Sequence, residues 1–449
     1  MGLSPFKSVS VTLVFRVVAV GLGVVNAIVL ARLFGPAGRG VLTVVESLNG
    51  LLMVFAGQWL YNSNSIYAAR DPRNVAPLAR NSFVYSGIAG TVVALGVVYL
   101  YRQFDGLGLG NISMTYLVIA LASIPAQFFN NACLGLLLGQ KKTLVFNLLM
   151  LSQTVSYLFA IGIMFLVARS ELAILLTIMT GIHFLLSAGL LLYYRHSIGF
   201  WPSFSIDWSL FQQSFQIGAK LFLTGFASYL VVRSDVFLVN FYKGEYQVGI
   251  YAVAVRLLDL LLILPNTVAV ILLPHLSSEK NLQKRHTDTL RFARLTVLAF
   301  IGLSVVVLVA APHAIPLLFG KEFEASYFPL ALLLPGLVFL AVQMVLVQNL
   351  WAMGPPRGVV IMWLLGAVVN IALNLVWIPN SGYIGAALSS SVTYSLVAIG
   401  IIWVYKRNIG LRLRDLVKFE REDWTIVVKF TRRWNALSVR FRRRHSEVG

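Results

Sequence analysis

Residues 218–274 read GAKLFLTGFASYLVVRSDVFLVNFYKGEYQVGIYAVAVRLLDLLLILPNTVAVILLP. They form two long apolar runs joined by a short turn around Gly244. Five charged residues interrupt the runs: Lys220, Arg233, Asp235, Arg256 and Asp259. A charge at the centre of a bilayer costs about 2.5–3.5 kcal/mol on insertion scales. Two spans with five charges are therefore expected to turn these side chains towards a polar interior.

The composition of the whole chain indicates an integral membrane protein. Of its 449 residues, 58% are hydrophobic and only 12% are charged, whereas soluble proteins have about 25% charged residues. The single cysteine, Cys133, allows no internal disulfide and no Cys-x-x-Cys motif. The apolar run that begins near Val9 is too long for a signal peptide and is not followed by a cleavage motif. We interpret this run as an uncleaved first span.

Twelve apolar stretches of about 20 residues predict an all-α membrane protein with about twelve transmembrane helices. The predicted spans are 9–31, 40–61, 81–101, 112–138, 143–168, 172–194, 215–241, 248–273, 293–318, 328–352, 358–378 and 383–405. Prolines within three of these spans, Pro125, Pro265 and Pro335, predict kinked or broken helices.

The distribution of basic residues predicts the orientation. The net charge is +19, and 13 of the 36 Lys and Arg residues lie between Lys406 and the C-terminus. With both termini cytoplasmic, 26 of the 36 lie on the cytoplasmic side and six in the outer loops. This asymmetry follows the positive-inside rule. We therefore predict a multi-pass protein of the plasma (inner) membrane with cytoplasmic termini, and no nucleic-acid partner.

The chain contains an internal repeat. Residues 30–48 align with residues 239–257 at an offset of 209, so that Gly35 matches Gly244 and Gly40 matches Gly249. Each half then holds six spans, and an even number gives both halves the same orientation. Transporters built from parallel repeats bind their substrate between the repeats, near the middle of the membrane.

Three regions are predicted from this repeat. They are an N-terminal six-helix lobe (1–205), a C-terminal six-helix lobe (206–405) and a basic cytoplasmic tail (406–449). The repeats differ in charge, because three charged residues of the second copy have uncharged counterparts in the first. Arg233, Asp235 and Arg256 correspond to Val24, Asn26 and Ser47. We expect the second lobe to supply most of the charged groups of an asymmetric cavity.

Several stretches resemble one known family. They are LARLFGPAGRGVL (30–42), RSDVFLVNFYKGEYQVGIYAVAVRL (233–257), LPHLS (273–277), PLLFGKEF (316–323), NLWAMGPPR (349–357) and GYIGAALSSSVTYS (382–395). In these the chain resembles the oligosaccharide/polysaccharide flippases of the multidrug/oligosaccharidyl-lipid/polysaccharide exporter superfamily. The resemblance implies a transporter, not an enzyme. It would flip a lipid-linked oligosaccharide or polysaccharide precursor to the outer leaflet by alternating access, for cell-surface polysaccharide biosynthesis.

Four basic residues lie in the first helices of the two halves: Arg16, Lys220, Arg233 and Arg256. These helices would line the central cleft. A polyprenyl-pyrophosphate-linked glycan carries two phosphates, and the Arg side chain binds phosphate oxygens in a bidentate manner. We predict that these four residues bind the substrate. Arg16 and Lys220 also lie near cytoplasmic helix ends, where they could extend to the interface. Arg32 and Arg39 flank the first outer turn and are expected to be solvated.

Three carboxylates also fall within predicted spans: Glu46, Asp235 and Asp259. A carboxylate in a membrane can bind H⁺ or Na⁺ and couple it to transport, or it can balance the charge of a neighbouring arginine. Arg256 and Asp259 are three residues apart and can pair on one helix face. Arg233 and Asp235 are two apart and face different sides of the helix.

Neutral polar residues recur at helical spacing, where they could bind sugar hydroxyls or hold helices together. They are Gln58 and Asn62; Gln127, Asn130 and Asn131; and Asn370 and Asn374, with Trp377 one turn further.

No metal-binding, nucleotide-binding or nucleophile motif is present in the sequence, so no catalytic residue, metal ligand or cofactor is predicted. The tail from Lys406 alternates basic and apolar residues, which is typical of segments that lie on anionic lipids. Docking of polysaccharide synthesis or export machinery is an alternative.

The sequence is also compatible with two other functions. One is cation-coupled export of drugs by a member of the same superfamily, and the other is a non-transporting scaffold for a polysaccharide synthesis complex. The sign of the central cavity distinguishes the two transporters. A cavity rich in arginine suits an anionic pyrophosphate, whereas an apolar or acidic cavity suits cationic drugs.

Overall fold

The computed structural model describes residues 5–104, 109–110, 112–166, 171–199, 204–354 and 357–409. Within helices of these ranges, the structure does not describe the side chains of residues 5–14, 16, 17, 165, 220, 221, 270, 271, 274 and 275. The predicted basic tail therefore lies almost wholly outside the described residues.

The described chain is helical throughout. The helices are α1 (Pro5–Leu52), α2 (Gln58–Arg70), α3 (Val75–Gln103), α4 (Met114–Ala122), α5 (Ile124–Gly139), α6 (Thr143–Leu166), α7 (Leu172–Ile198), α8 (Trp208–Lys243), α9 (Glu245–Leu261), α10 (Ile263–Ser278), α11 (Leu282–Phe319), α12 (Tyr327–Ala352) and α13 (Arg357–Ile409). A π-helical turn, Met53–Gly57, joins α1 to α2, and short 3₁₀ turns precede α3 and α12.

The prediction of about twelve spans is confirmed for the described residues. Ten helical stretches there are long and apolar enough to cross a membrane. The first and the last, Val18–Arg70 and Arg357–Ile409, each have 53 residues, or about 80 Å at 1.5 Å per residue. Each is long enough to cross a core of about 30 Å twice. Gly35 (φ 61°) and Gly382 (φ 55°) break them in two with non-helical backbone.

Two of the three prolines predicted to disturb helices lie at breaks. Pro125 is at the start of α5, just after α4 ends at Ala122, and Pro265 is in the first turn of α10. A proline is tolerated there because the first N–H groups of a helix have no intrahelical acceptor. Pro335 lies inside the continuous helix α12.

The repeated glycines lie at two reciprocal contacts between the copies. Gly35 and Gly244 have the same kind of turn backbone, with φ 61°, ψ −173° and φ 80°, ψ 174°. A Cβ atom on Gly40 would overlap the backbone carbonyl of Glu245, and one on Gly249 would overlap the carbonyl of Pro36. Since residues 36 and 40 match 245 and 249 at the offset of 209, the two contacts are related by pseudo-two-fold symmetry.

The chain forms two compact units that interleave along the sequence. The described residues within 1–260, 310–333 and 363–393 belong to the first, and those within 261–309, 334–362 and 394–409 belong to the second. In the first unit, buried apolar side chains such as Phe129 and Leu137 connect α2, α3, α5 and α7, while Leu42 and Met164 belong to a core between α1, α6 and α7. The three cavities of the candidate site lie within the first unit.

Candidate substrate-binding site

Three neighbouring cavities share the carboxylate of Glu46 in their lining. Their volumes are about 440, 210 and 360 Å³. The first lies among α1, α5, α6 and α7 and, apart from Glu46, is lined by neutral polar and apolar side chains. The second lies among α1, α8 and α9 and is lined by charged side chains. The third lies next to both, since it shares Gln153 and Tyr157 with the first and Arg39 and Arg256 with the second. We call them the amide cavity, the arginine cavity and the linking cavity.

Three arginines and two carboxylates line the arginine cavity. An Arg233 guanidinium nitrogen lies 3.2 Å from Oδ2 of Asp259, joining α8 to α9. Arg39, which is 8% exposed, lies 3.7 Å from Glu46 within α1. The two carboxylates thus balance two of the three arginines, and the lining that is described keeps an excess of one positive charge.

Arg256 supplies that excess charge. It makes no ion pair or hydrogen bond with any residue that the structure describes, and it lines both the arginine and the linking cavity. Gly23 of α1 leaves room for the guanidinium, because a Cβ atom at residue 23 would overlap its terminal nitrogen. An unpaired guanidinium in a water-filled membrane cavity is suited to an anionic ligand.

Hydroxyl groups connect the helices around the charges. Tyr157 of α6 donates a hydrogen bond of 3.2 Å to Oε1 of Glu46, and Tyr229 of α8 donates one of 2.6 Å to the carbonyl oxygen of Ser47. A carboxylate held by a hydroxyl and an arginine has a fixed position. The wall shared by the three cavities is therefore preorganised.

Asp235 does not line the three cavities, although the charge of Arg233 acts on it. It is 1% exposed and accepts hydrogen bonds from the Tyr251 hydroxyl (2.5 Å), the Ser390 hydroxyl (3.0 Å) and the backbone N–H of Val236 (2.8 Å). Among the described residues it has no ion-pair partner. A carboxylate held only by neutral donors inside a membrane is a candidate for binding a proton or a monovalent cation.

The structure brings together part of the predicted site. Arg233, Arg256, Glu46 and Asp259 line the arginine cavity, while Asp235 does not. Arg16 and Lys220 belong to α1 and α8, but their side chains lie outside the described residues. Asp259 pairs with Arg233 from the neighbouring helix and not with Arg256 of its own helix. Arg233 and Asp235 make separate contacts, as their spacing predicts.

The expectation that Arg39 is a solvated turn residue is wrong. The turn ends at Gly35, so Arg39 is already inside the second helical segment, where it points to the cavity with Glu46 two turns further on. Arg32 is exposed, and its guanidinium donates to the carbonyls of Leu317 and Leu318 at the end of α11. The seven-residue spacing of Arg39 and Glu46 was the sequence signal for this pair.

The neutral polar residues that recur at helical spacing have two roles: some line a cavity and others hold helices together. Gln127 and Asn131 line the amide cavity. Asn130 instead holds α7, donating to the His183 carbonyl (3.1 Å) and accepting from the Ser187 hydroxyl (2.8 Å). Gln58 accepts a hydrogen bond of 3.4 Å from Asn131.

Asn370 and Asn374 form a hydrogen-bond network away from the cavities. Asn370 accepts from the Ser234 hydroxyl and from Asn374, both at 2.9 Å, and donates to the Thr393 hydroxyl at 3.3 Å. These bonds connect α8 with both segments of α13. Asn370 and Asn374 therefore hold helices together, which favours the structural alternative for these two residues.

Comparison with solved structures defines the fold. The fold matches that of a lipid II flippase, MurJ, in an inward closed conformation, with a TM-score of 0.72, 17% identity and coverage of 94% of this chain and 92% of the other. It also matches an inward-facing multidrug resistance transporter of the MATE family, a member of the MOP superfamily, with a TM-score of 0.72, 16% identity and coverage of 87% and 94%. The chain thus shares the fold of these two membrane proteins.

Sequence comparison identifies the family of the protein. The sequence model of the family described as "Polysaccharide biosynthesis protein" matches residues 6–280, more than half of the chain. The protein belongs to this family. It is 24% identical over 390 residues to a "Putative O-antigen transporter" of Shigella flexneri, covering 84% of this chain and 92% of that protein. It is also 24% identical over 212 residues to a "Probable low-salt glycan biosynthesis flippase Agl15" of Haloferax volcanii, covering 44% of each.

Proposed function

We propose that this protein flips a lipid-linked oligosaccharide or polysaccharide precursor from the cytoplasmic to the outer leaflet. The observation that carries the proposal is the arginine cavity, in which Arg39, Arg233 and Arg256 meet only two carboxylates. The similar proteins named as an O-antigen transporter and a glycan flippase support the same class of substrate.

The pyrophosphate is the part of this substrate that most resists crossing a membrane, because its charges must leave water. Arg256 would bind it directly, since its guanidinium has no partner among the described residues. Arg233 and Arg39 would strengthen the positive field while remaining paired with Asp259 and Glu46. Because the paired carboxylates prevent a larger excess of positive charge, the site can also release the pyrophosphate on the other side.

The alternatives fit the cavity less well. A cationic drug would be repelled by the excess positive charge around Arg256, whereas an acidic or apolar cavity would attract it. A passive scaffold requires no unpaired guanidinium inside a membrane, and keeping one there without a ligand is costly. The family assignment likewise favours transport of a glycan intermediate over either alternative.

The proposal is tested with the full-length protein in proteoliposomes. A fluorescently labelled polyprenyl-pyrophosphoryl sugar serves as the probe, and its movement between leaflets is followed by dithionite quenching. Arg256→Gln should slow the movement about 10- to 100-fold, because a hydrogen bond to a charged group contributes about 1.5–3 kcal/mol.

Arg102→Gln is the matched control, since Arg102 is an arginine in the last turn of α3, away from the cavities. It should leave the rate unchanged. If the wild-type protein moves a cationic dye but not the pyrophosphoryl probe, it is a drug exporter. If Arg256→Gln moves the probe at the wild-type rate, the arginine cavity is not the transport site.

We also propose that Asp235 couples transport to H⁺ or Na⁺. It is fully buried, it has only neutral hydrogen-bond donors around it, and its partners Tyr251 and Ser390 come from α9 and α13. Binding of a cation would change the contacts that connect these helices. Glu46 and Asp259, each close to an arginine, would instead balance charge. Coupling requires that the flipping rate depend on an H⁺ or Na⁺ gradient across the proteoliposome membrane, and a rate independent of both would contradict it.

The cellular setting completes the proposal. We place the protein in the plasma (inner) membrane with both termini in the cytoplasm, because of the positive-inside asymmetry. The basic tail from Lys406 would contact anionic lipids, or polysaccharide synthesis and export machinery. Lobes 1–205 and 206–405 would alternate access to the cavities. Loss of lipid binding by the full-length protein after neutralisation of the tail arginines would support the first role of the tail, and unchanged binding would contradict it.

A further inference from the structure

The amide cavity has a chemical character of its own. Four amide side chains and one threonine hydroxyl converge on it from four helices. They are Asn49 of α1, Gln127 and Asn131 of α5, Gln153 of α6 and Thr180 of α7. Its volume of about 440 Å³ falls in the range of roughly 300–1,000 Å³ that is typical of small-molecule sites.

Several of these amides have unused hydrogen-bonding capacity. The side chains of Asn49 and Gln153 make no hydrogen bond to another residue in the described part of the chain, and Oδ1 of Asn49 is buried. Nδ1 of His183, in the same lining, is likewise buried and unbonded among described residues. Buried polar groups are normally paired, so this wall has donors and acceptors available for a polar ligand or for water.

The charges of the cavities differ sharply. No Lys or Arg is among the described residues that line the amide cavity, and Glu46 is its only carboxylate. The arginine cavity holds Arg39, Arg233 and Arg256. Gln153 and Tyr157 also line the linking cavity, so the neutral and the cationic regions are neighbours.

We infer that the amide cavity is a binding subsite for the sugar attached directly to the pyrophosphate, and that it selects an uncharged sugar. This inference rests on the proposed function, because it assumes that the pyrophosphate occupies the arginine cavity. Amide side chains both donate and accept hydrogen bonds, as sugar hydroxyl and acetamido groups do. Apolar neighbours such as Met53 and Met179 provide surface for the faces of a sugar ring.

The preference for an uncharged sugar follows from Glu46. A uronic acid in this cavity would bring a second carboxylate close to Glu46, and the nearby cation, Arg39, lies outside the lining and is already paired with Glu46. Juxtaposed like charges in a desolvated site are strongly unfavourable. A neutral hexose or an N-acetylated amino sugar has no such cost.

The test measures binding of three probes to the purified full-length protein. The probes are farnesyl pyrophosphate, farnesyl pyrophosphate carrying one N-acetylglucosamine, and farnesyl pyrophosphate carrying one glucuronic acid. The N-acetylglucosamine probe should bind about 3- to 10-fold more tightly than the bare pyrophosphate, as expected for one or two additional hydrogen bonds. The glucuronic acid probe should bind less tightly than the N-acetylglucosamine probe.

Two variants locate the effect. Gln153→Leu and Gln127→Leu keep the approximate size of the side chain and remove the amide, so the ratio of the first two affinities should fall towards one. Gln213→Leu is the matched control, because Gln213 is an exposed glutamine of α8 that lines none of the three cavities, and it should keep the wild-type ratio. Thermal unfolding of each variant checks that the fold is retained.

The outcomes separate this inference from the proposed function. If the wild-type protein binds all three probes equally, or if both glutamine variants keep the wild-type ratio, the sugar subsite is wrong while the pyrophosphate site stands. If the glucuronic acid probe binds most tightly, the charge argument is wrong. If none of the probes binds, the proposed function fails and the subsite fails with it.

Discussion

At the scale of single residues, the distinction between paired and unpaired charges organises the site. Arg233 and Asp259 form one pair, Arg39 and Glu46 form another, and Arg256 is left for a ligand. The sequence shows all five residues, but their pairing depends on which helix faces meet. Arg256 and Asp259 have suitable spacing for a pair on α9. Asp259 instead pairs with Arg233 of the neighbouring helix α8, whose guanidinium lies 3.2 Å away.

Asp235 provides the residue-scale prediction. Asp235→Asn keeps the shape of the side chain and removes the charge that a proton or Na⁺ would neutralise. We expect the dependence of flipping on the ion gradient to disappear and the rate to fall at least about tenfold, with normal protein abundance. The measurement is the flipping assay in proteoliposomes with and without each gradient.

Asp71→Asn is the matched control for this prediction, because Asp71 is paired with Arg73 in the turn between α2 and α3. It should retain the gradient dependence. If Asp235→Asn retains it too, Asp235 is a structural residue and the coupling site lies elsewhere.

At the scale of elements, the glycine turns position the helices that line the arginine cavity. Gly35 and Gly244 reverse the chain with positive φ, which side chains with a Cβ adopt at a cost. Gly40 and Gly249 then let each turn approach the backbone of the other. Both features were visible as an internal repeat in the sequence. The reciprocal contact between the copies was not, because contacts between distant segments leave no local pattern.

The element-scale prediction concerns Gly40→Ala. The new Cβ atom would overlap the backbone carbonyl of Glu245, so the two turns must separate. In a Cys133→Ala background, a thiol at position 43 (Thr43→Cys), which is 5% exposed, should react about tenfold faster with an impermeant reagent. The reagent is added on the side of the turns, which is predicted to be the outside.

Gly225→Ala is the control for this experiment, since a Cβ atom at Gly225 meets no atom within 4 Å. It should leave the reactivity of the thiol unchanged. Unchanged reactivity in Gly40→Ala, in protein of normal abundance, would show that the glycine contact does not close this side of the cavity.

At the scale of the whole molecule, the testable prediction is the orientation of the protein in the membrane. Lys321 and Lys280 are both exposed and lie at opposite ends of α11. With cytoplasmic termini, a single cysteine in place of Lys321 should be labelled by an impermeant maleimide in intact cells. One in place of Lys280 should be labelled only after permeabilisation, because the basic residues around it favour the cytoplasm. The opposite pattern would reverse the orientation and with it the direction of transport.

The sequence by itself determined the class of protein, the number of spans and the turns of the repeat. These properties depend on the length of apolar runs and on glycine, both of which are local. Only the tertiary structure decided that Arg39 is buried at a cavity, that Asp259 pairs with Arg233, and that Gln127 and Asn131 line a neutral cavity while Asn370 and Asn374 hold helices together. The same residue types at the same helical spacing serve both roles. Their role depends on the rotation of each helix against its neighbours, which packing between distant segments determines.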